Sequence, residues 1–538
     1  MASSKEVQNP DRDGFPRDSI EKHHGKEVTT ASVALAAAMA EQKPNPFSRS
    51  MLRLYAIMTV GYLISTINGF DGSLMGAINA MKPYQETFGL SGAGSSAGIV
   101  FIIYNIGQLA TIPITPWLSD GYGRRVAIFV GCAVILIGTA VQAPAKTMGQ
   151  FIAGRFLLGM GAALAQAVGP AYSVELAHPA YRGIMAGMYN NLWWIGNILA
   201  GWSTYGTNLH YNNAWAWRIP TIAQALLPAI VMVMVLFFPE SPRWLMAKDR
   251  TEDALKVLAD YHGDGDRNAA VVQLQYREIL EDREINASDD RWWDVRELFR
   301  DRQARYRIWM VIGMSFIGQW SGNNVVSYFM PQMIENAGID NTDTQLLLNA
   351  INPLASLVAA VIGTTFLDRV GRRPMMIGAL TGACFFFTLL TAFTAESDSH
   401  KNMAYGVIVS IYLYSVCFAS GMTPCQTLYI VECLENRTRA KGMSLKFLAV
   451  NIAMIVNTYG IAVGIEKIGW KLYVVYVVWI TIEIIIMYFF FPETGGKTLE
   501  ELAVIFQAKN PRKESTKKTK VHIRDDGHVV EVERAEKA

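Results

Sequence analysis

Asp71 stands in the stretch Asn68-Gly-Phe-Asp-Gly-Ser73, inside an apolar run that begins near Leu52. If that run crosses hydrocarbon, an ionised carboxylate there is costly unless it is protonated or paired. Two chemistries follow: an ion pair with an arginine, or reversible uptake of a proton. Acids inside membranes by default mark ion paths and proton relays, so the second is favoured. A second group with chemistry in it is Gly318-Gln319-Trp320-Ser321-Gly322-Asn323-Asn324. Its amides donate and accept hydrogen bonds without the desolvation cost of a charge, and Gly322 can loosen the helix that carries them. The flat faces of Trp320 and Tyr328 can cover the apolar side of a bound molecule. Any single amide of this set would equally serve to hold two helices together.

A third group is written twice. Asp120-Gly-Tyr-Gly-Arg124-Arg125 recurs as Asp368-Arg-Val-Gly-Arg372-Arg373, each copy between two apolar runs. Glu175 and Arg182 are echoed by Glu432 and Arg439 at the same interval, and Phe238-Pro-Glu240-Ser by Phe491-Pro-Glu493-Thr. Self-similarity on this scale implies two homologous halves. Anchoring by positive charge alone would explain the arginines. It would not demand an acid and a glycine at fixed offsets, so these acids and arginines are expected to form ion pairs at the inner ends of adjacent helices, holding that side shut.

The elements that position these groups are membrane spans. In 538 residues, 51% are hydrophobic and 17% charged, against about 25% charged in an ordinary soluble chain. Twelve apolar runs of roughly 20 residues, the length that crosses hydrocarbon, begin near positions 52, 98, 126, 150, 184, 219, 308, 345, 375, 403, 442 and 470. Lysine and arginine crowd alternate loops, including the whole 240–307 segment, which places both termini and the middle loop in the cytoplasm. The expected fold is an all-α membrane protein. Its parts are a tail over 1–50, a six-helix bundle over 51–238, a cytoplasmic helical linker over 239–307, a second bundle over 308–491 and a tail over 492–538. Linker helices are expected from Thr251 to Gly263, Val271 to Glu284 and Trp292 to Arg305, and residues 1–46 and 508–538 are expected to be disordered. Cys132, Cys384, Cys417, Cys425 and Cys433 lack metal-ligand spacing and read as packing residues. The start of the chain lacks the pattern of a secretory signal. The sequons at Asn286 and Asn436 fall on the cytoplasmic side, so no glycosylation is expected. No nucleophile with its base and no metal cluster stands outside the spans, which leaves an enzyme without support. No cofactor, metal or nucleic acid is implied.

The set of motifs closely resembles the sugar-porter family of the major facilitator superfamily, from about residue 50 to 505. It includes Gly154-Arg155, both repeated turns, Pro239-Glu-Ser-Pro-Arg243-Trp, Gln319 to Asn324, and Pro492-Glu-Thr-Gly-Gly-Lys497. The resemblance implies two six-helix bundles that alternately open a central site to either side. It implies that Asp71 takes up the proton in a symport cycle and that Arg155 modulates it. Asn190 matches a sugar-binding glutamine; Ser356, or Asn352 one turn away, matches an asparagine. Gln426 and Thr427 lie where the tenth span meets the ligand. Two departures stand out: Gly318 replaces the first of two adjacent glutamines, and Thr427 replaces a tryptophan common in monosaccharide carriers. The second departure, with Asp71-Gly-Ser-Leu-Met-Gly and Glu432 through Gly442, looks like the fungal lactose-permease and cellodextrin-transporter group. The expectation is thus a monomeric sugar:proton symporter of a fungal plasma membrane, importing a disaccharide or short oligosaccharide. The alternatives are a hexose carrier, a passive facilitator and a non-transporting sugar sensor.

Overall fold

The computed structural model describes residues 47–535 apart from 91–93, 180–188, 190, 287–295, 398–401, 436–437, 496, 498, 517 and 524–528. Apolar runs become helices because, without water, only internal hydrogen bonding satisfies their backbone. Six helical spans form the first half: Arg49–Asn79, the bent pair Ser95–Ala110 and Ile114–Tyr122, Arg124–Gln142, Met148–Leu176, Trp193–His210 and Trp215–Phe237. The second half repeats the plan with the broken pair Arg302–Trp320 and Asn323–Asn336, then Thr342–Val370, Arg372–Glu396, Met403–Cys433, Arg439–Ile468 and Lys471–Phe490. They are called spans 1 to 12 below. Among the described residues, nine helices, or ten with the span 2 pair bent by 47°, are long and apolar enough to cross a membrane. Span 5 and the broken span 7 complete the twelve. Ser48, Thr147 and Asn341 cap spans 1, 4 and 8 by accepting from N–H groups in the first turn.

Glycine lets these helices approach closely. A Cβ on Gly196 of span 5 would lie 2.0 Å from the Thr66 carbonyl oxygen in span 1, and one on Gly69 would lie 2.0 Å from that of Trp193. Gly196→Val is therefore expected to force spans 1 and 5 apart and to lower the yield of monodisperse protein severalfold, read by size-exclusion chromatography of the solubilised chain. Between the halves, span 2 packs on span 11, span 5 on span 8, and span 1 on the second piece of span 7. Three close approaches lie toward the face away from the repeated turns. Cβ atoms on Gly76, Gly98 and Gly201 would come within 2.9 Å of Tyr328 O, 3.0 Å of the Tyr459 ring and 2.9 Å of the Ala350 backbone.

Between the halves, Pro242–Ala247, Thr251–His262 and Ala270–Asn286 are helical and share a small core of Leu245, Met246, Leu258 and Val272. The third expected linker helix does not form as drawn. Residues 292–295 lie outside the described set, Arg296–Phe299 is a single 3-10 turn, and span 7 already starts at Arg302. His262 Nε2 bonds the Leu176 carbonyl at 2.9 Å, pinning the linker to the end of span 4. The C-terminal tail is partly ordered. Leu499–Gln507 is helical, with Leu502, Ile505 and Phe506 buried, and Arg307 lies over the Phe506 ring at 4.5 Å. Strands Lys518–Ile523 and Val529–Ala535 then pair antiparallel. These strands depart from the disorder expected over 508–538, where low average hydrophobicity hid their β-branched alternation. The five cysteines are free.

Candidate functional site

The repeated turn is a cap built twice. Gly123 and Gly371 hold φ of +112° and +93°, a region closed to most side chains. They lead into spans 3 and 9, whose first N–H groups need acceptors. Glu240 supplies them to span 3, accepting from Arg124 N at 3.1 Å and Arg125 N at 3.2 Å; Glu493 serves span 9, accepting from Arg372 N at 2.9 Å and Arg373 N at 3.0 Å. A Cβ on Gly123 or Gly371 would strike these carboxylates at 2.4 or 2.9 Å, so the glycine is needed twice over. Burial lifts the Glu240 carboxyl above its ordinary range, while the N–H groups of Ser241, Arg125 and Arg124 pull against it. Tyr172 donates to Pro239 O at 2.7 Å and Tyr429 to Pro492 O at 3.0 Å, which fixes both Pro-Glu turns to spans 4 and 10.

The arginine side chains complete each cap. Arg124 bonds Asp120 at 2.6 Å and lies 3.4 Å from Glu175; Arg372 holds Glu432 at 3.0 Å, and Thr494 donates to the other oxygen of Glu432 at 2.6 Å. Arg125 and Arg373 donate to carbonyls at the ends of spans 6 and 12. All these pairs lie within one half, between ends of helices in the same bundle. Arg243 stands on the short helix after Glu240, and Arg439 opens span 11. Arg182, and the side chain of Asp368, lie outside the described residues.

Deeper in the first bundle, Asp71 is fully buried and, among the described residues, neither carboxylate oxygen has a hydrogen-bond partner. Arg155 is buried beside it, but its guanidinium donates to the main-chain oxygen of Asp71 at 3.4 Å and lies 4.9 Å from the centre of the Tyr104 ring. The arginine thus sits against the acid without clamping its carboxylate. A small cavity opens here, lined by Gly72, Phe101, Tyr104, Asn105, Arg155, Tyr328 and Thr458.

A second small cavity lies between the halves, walled by Trp194 and Asn197 of span 5, Asn323, Val326 and Ser327 of span 7, Asn349, Asn352 and Pro353 of span 8, and Ser415 and Phe418 of span 10. The buried Asn352 Oδ1 has no hydrogen-bond partner among the described residues. Such a wall offers hydrogen bonds from convergent, uncharged groups with aromatic cover. The helix that begins after Gly322, at φ +90°, joins the two cavities: Asn323 and Ser327 face one, and Tyr328, next in sequence, faces the other. Pro331 and the non-helical Phe329 kink it further.

The other expected ligand residues divide. Trp320 is turned away; its indole N–H donates to Ala453 O at 2.9 Å and its ring packs on Phe316 and Trp479. The cause is helical phase, since consecutive residues diverge by about 100° and the break at Gly322 resets it. Asn324 and Ser356 are buried, with Asn324 Nδ2 and Ser356 Oγ unpartnered among the described residues, but neither lines the described cavities. Gln319 is half-buried and its carbonyl accepts from Asn457 at 2.7 Å. Asn190 lies outside the described residues. Gln426 runs across Gly318, where a Cβ would sit 1.9 Å from its Nε2. The amide arm absent at 318 is therefore replaced in space by one from span 10. Gly318→Gln should displace Gln426 and raise KM for transport without stopping the cycle, as measured by initial uptake rates across substrate concentration. Thr427 accepts from Lys446 of span 11 at 3.1 Å. Sequence reasoning missed Lys446, as well as Glu483 of span 12, which is buried and accepts from the Trp479 indole at 2.6 Å. Each is a lone charge in an apolar run, a signal already present in the sequence.

The family model for the sugar (and other) transporter family matches residues 57–506. The chain belongs to that family. A sugar transporter of the major facilitator type, it is 28% identical over 489 residues to a high-affinity glucose transporter of Kluyveromyces lactis, covering 86% of this chain and 87% of the relative. It is 25% identical over 497 residues to a quinate permease of Neurospora terricola, covering 88% and 92%. The xylose transporter XylE from E. coli, solved in an inward-open conformation, superimposes with a TM-score of 0.69 at 21% identity, over 84% of this chain and 99% of XylE. The same fold at TM-score 0.67 is that of the proton:xylose symporter XylE bound to 6-bromo-6-deoxy-D-glucose. These relatives are carriers, and the chain is a carrier rather than an enzyme.

Proposed function

We propose that this sugar transporter couples inward carbohydrate movement to a proton held by Asp71, in a plasma membrane, as a monomer, with the basic turns and both termini in the cytoplasm. One observation carries the reading: a buried carboxyl without a hydrogen-bond partner among the described residues stands beside one cavity, while amides wall another, and the Asn323–Asn336 helix lines both. Movement of that helix on proton binding reshapes the carbohydrate cavity, and filling the cavity constrains the helix beside Asp71. Arg155, turned to the main chain, supplies a cation that can approach the carboxylate once the proton leaves. Asn190, Asn323, Asn352 and Gln426 are assigned to the carbohydrate hydroxyls, with Trp194 and Phe418 replacing Trp320 as aromatic cover. The paired caps around Arg124 and Arg372 form the cytoplasmic gate, each stiffening its own bundle so that the halves rock as units. Symport is also the activity named for XylE, which supports the reading.

The test is uptake into vesicles reconstituted with the full chain. With acid outside, labelled glucose, lactose or cellobiose should concentrate, and a protonophore should abolish the gain. Equal levels inside and out, with and without the gradient, would leave a passive facilitator. A disaccharide or short oligosaccharide, as in the lactose-permease group, is supported by the missing indole at Thr427; Lys446 reaches into that place and takes up part of the room. Competition decides it: a disaccharide carrier is blocked by lactose or cellobiose and only partly by hexoses.

A further inference from the structure

Lys446 is out of place in a carrier of neutral sugars. It lies about two turns inside the basic end of span 11, and an ammonium at such depth is expensive unless it has a purpose. Its helical phase puts it on the face of Ala449, Ala453 and Asn457, opposite the exposed Leu448, Ile452 and Val456. Its amine donates to Thr427 Oγ1 at 3.1 Å, and among the described residues no carboxylate pairs with it. Glu483, the other unexpected charge, is held elsewhere by Trp479. The Lys446–Thr427 contact is part-buried. Thr427 adjoins Gln426, which lies against Gly318 at the start of the amide cluster. A cation whose one acceptor among the described residues is a neutral hydroxyl therefore stands beside the span 10 segment that meets the amide cluster of span 7.

We propose that Lys446 is a specificity residue that binds a carboxylate on the transported molecule, so that the preferred substrate is a sugar acid: a polyhydroxylated ring bearing one carboxylate. The inference rests on the reading of the chain as a proton-coupled carbohydrate importer and sharpens its substrate class. The hydroxyls meet the amides and Thr427, and the carboxylate replaces water around the Lys446 amine in a charge-assisted hydrogen bond. The charge count changes accordingly. One proton carried with a neutral sugar moves a positive charge inward, whereas one proton with a monoanion moves none.

The experiment uses the full chain in proteoliposomes with acid outside, and compares uptake of glucuronate and galacturonate with that of glucose, galactose and lactose, in wild type, Lys446→Met and Lys446→Arg. The acids should outcompete their neutral parents in wild type, and Lys446→Met should lower the acid-to-neutral uptake ratio by about ten- to a hundredfold, the range for a hydrogen bond to a charged group. Lys446→Arg should keep the ratio within a few-fold. Charge movement across the vesicle membrane should accompany neutral sugar and be absent with the acid. If wild type concentrates neutral sugars and ignores the acids, or if Lys446→Met lowers both classes equally, the carboxylate site is wrong and the symport reading stands. If no carbohydrate of either class is concentrated, the symport reading falls with it. The wild-type competition decides the point even where Lys446→Met folds poorly.

Discussion

Asp71→Asn should reduce gradient-driven accumulation to an inside-to-outside ratio near one, while exchange of labelled for unlabelled substrate continues. With one proton per cycle, a gradient of one pH unit can support at most about tenfold accumulation, so the variant should lose about a tenfold effect at that gradient. Asparagine matches aspartate in shape and cannot exchange a proton. Among the described residues the carboxylate oxygens have no hydrogen-bond partners to lose, and the Arg155 contact is to the main-chain oxygen, which the substitution keeps. The bundle should therefore fold as before. The loss is confined to coupling. Accumulation that survives in Asp71→Asn would move the proton to another group and leave Asp71 as a packing residue.

The sequence made the scaffold legible because hydrocarbon leaves the backbone so few choices: apolar runs of sufficient length become helices, and eleven of twelve start within a few residues of their expected positions, the fifth being described only from Trp193. The doubled turn was equally visible, but its chemistry was not. Glu240 and Glu493 were grouped with the ion-pairing residues, whereas their carboxylates cap the N-termini of spans 3 and 9 through backbone N–H groups, a contact between residues more than a hundred positions apart. Asp71 was readable as a lone acid in an apolar run. Trp320 was misread because adjacency in sequence was taken for adjacency in space, and Gln426 could not be seen to replace the arm missing at Gly318 until spans 7 and 10 were packed together. Asn197 and Asn349 escaped for the same reason: one amide in a helix carries no sign of which way it faces until its neighbours are in place.

Arg372→Leu should be the most damaging change among the caps. Arg372 is nearly buried and holds Glu432 through both Nε, at 3.2 Å, and Nη2, at 3.0 Å. Removing one partner of such a pair leaves the other charge uncompensated, at about 3–5 kcal/mol. Thr494 would still donate to Glu432, so the lower end of that range is expected. In detergent this should appear as a fall of several degrees in the temperature at which half the protein leaves the monodisperse peak. Arg372→Leu with Glu432→Leu should recover much of it, because replacing both charges by apolar side chains of similar size is often close to neutral. Transport separates the structural from the gating role. If the pair only braces the second bundle, the double variant should regain uptake together with stability. If the pair gates the cytoplasmic side, stability returns but the rate of the cycle does not, since an apolar contact cannot open and reform with the rocking of the halves as an ion pair exchanging with water can. Failure of the double variant to regain stability would show that Glu432 depends on more than Arg372 and Thr494, and the cap would need another partner.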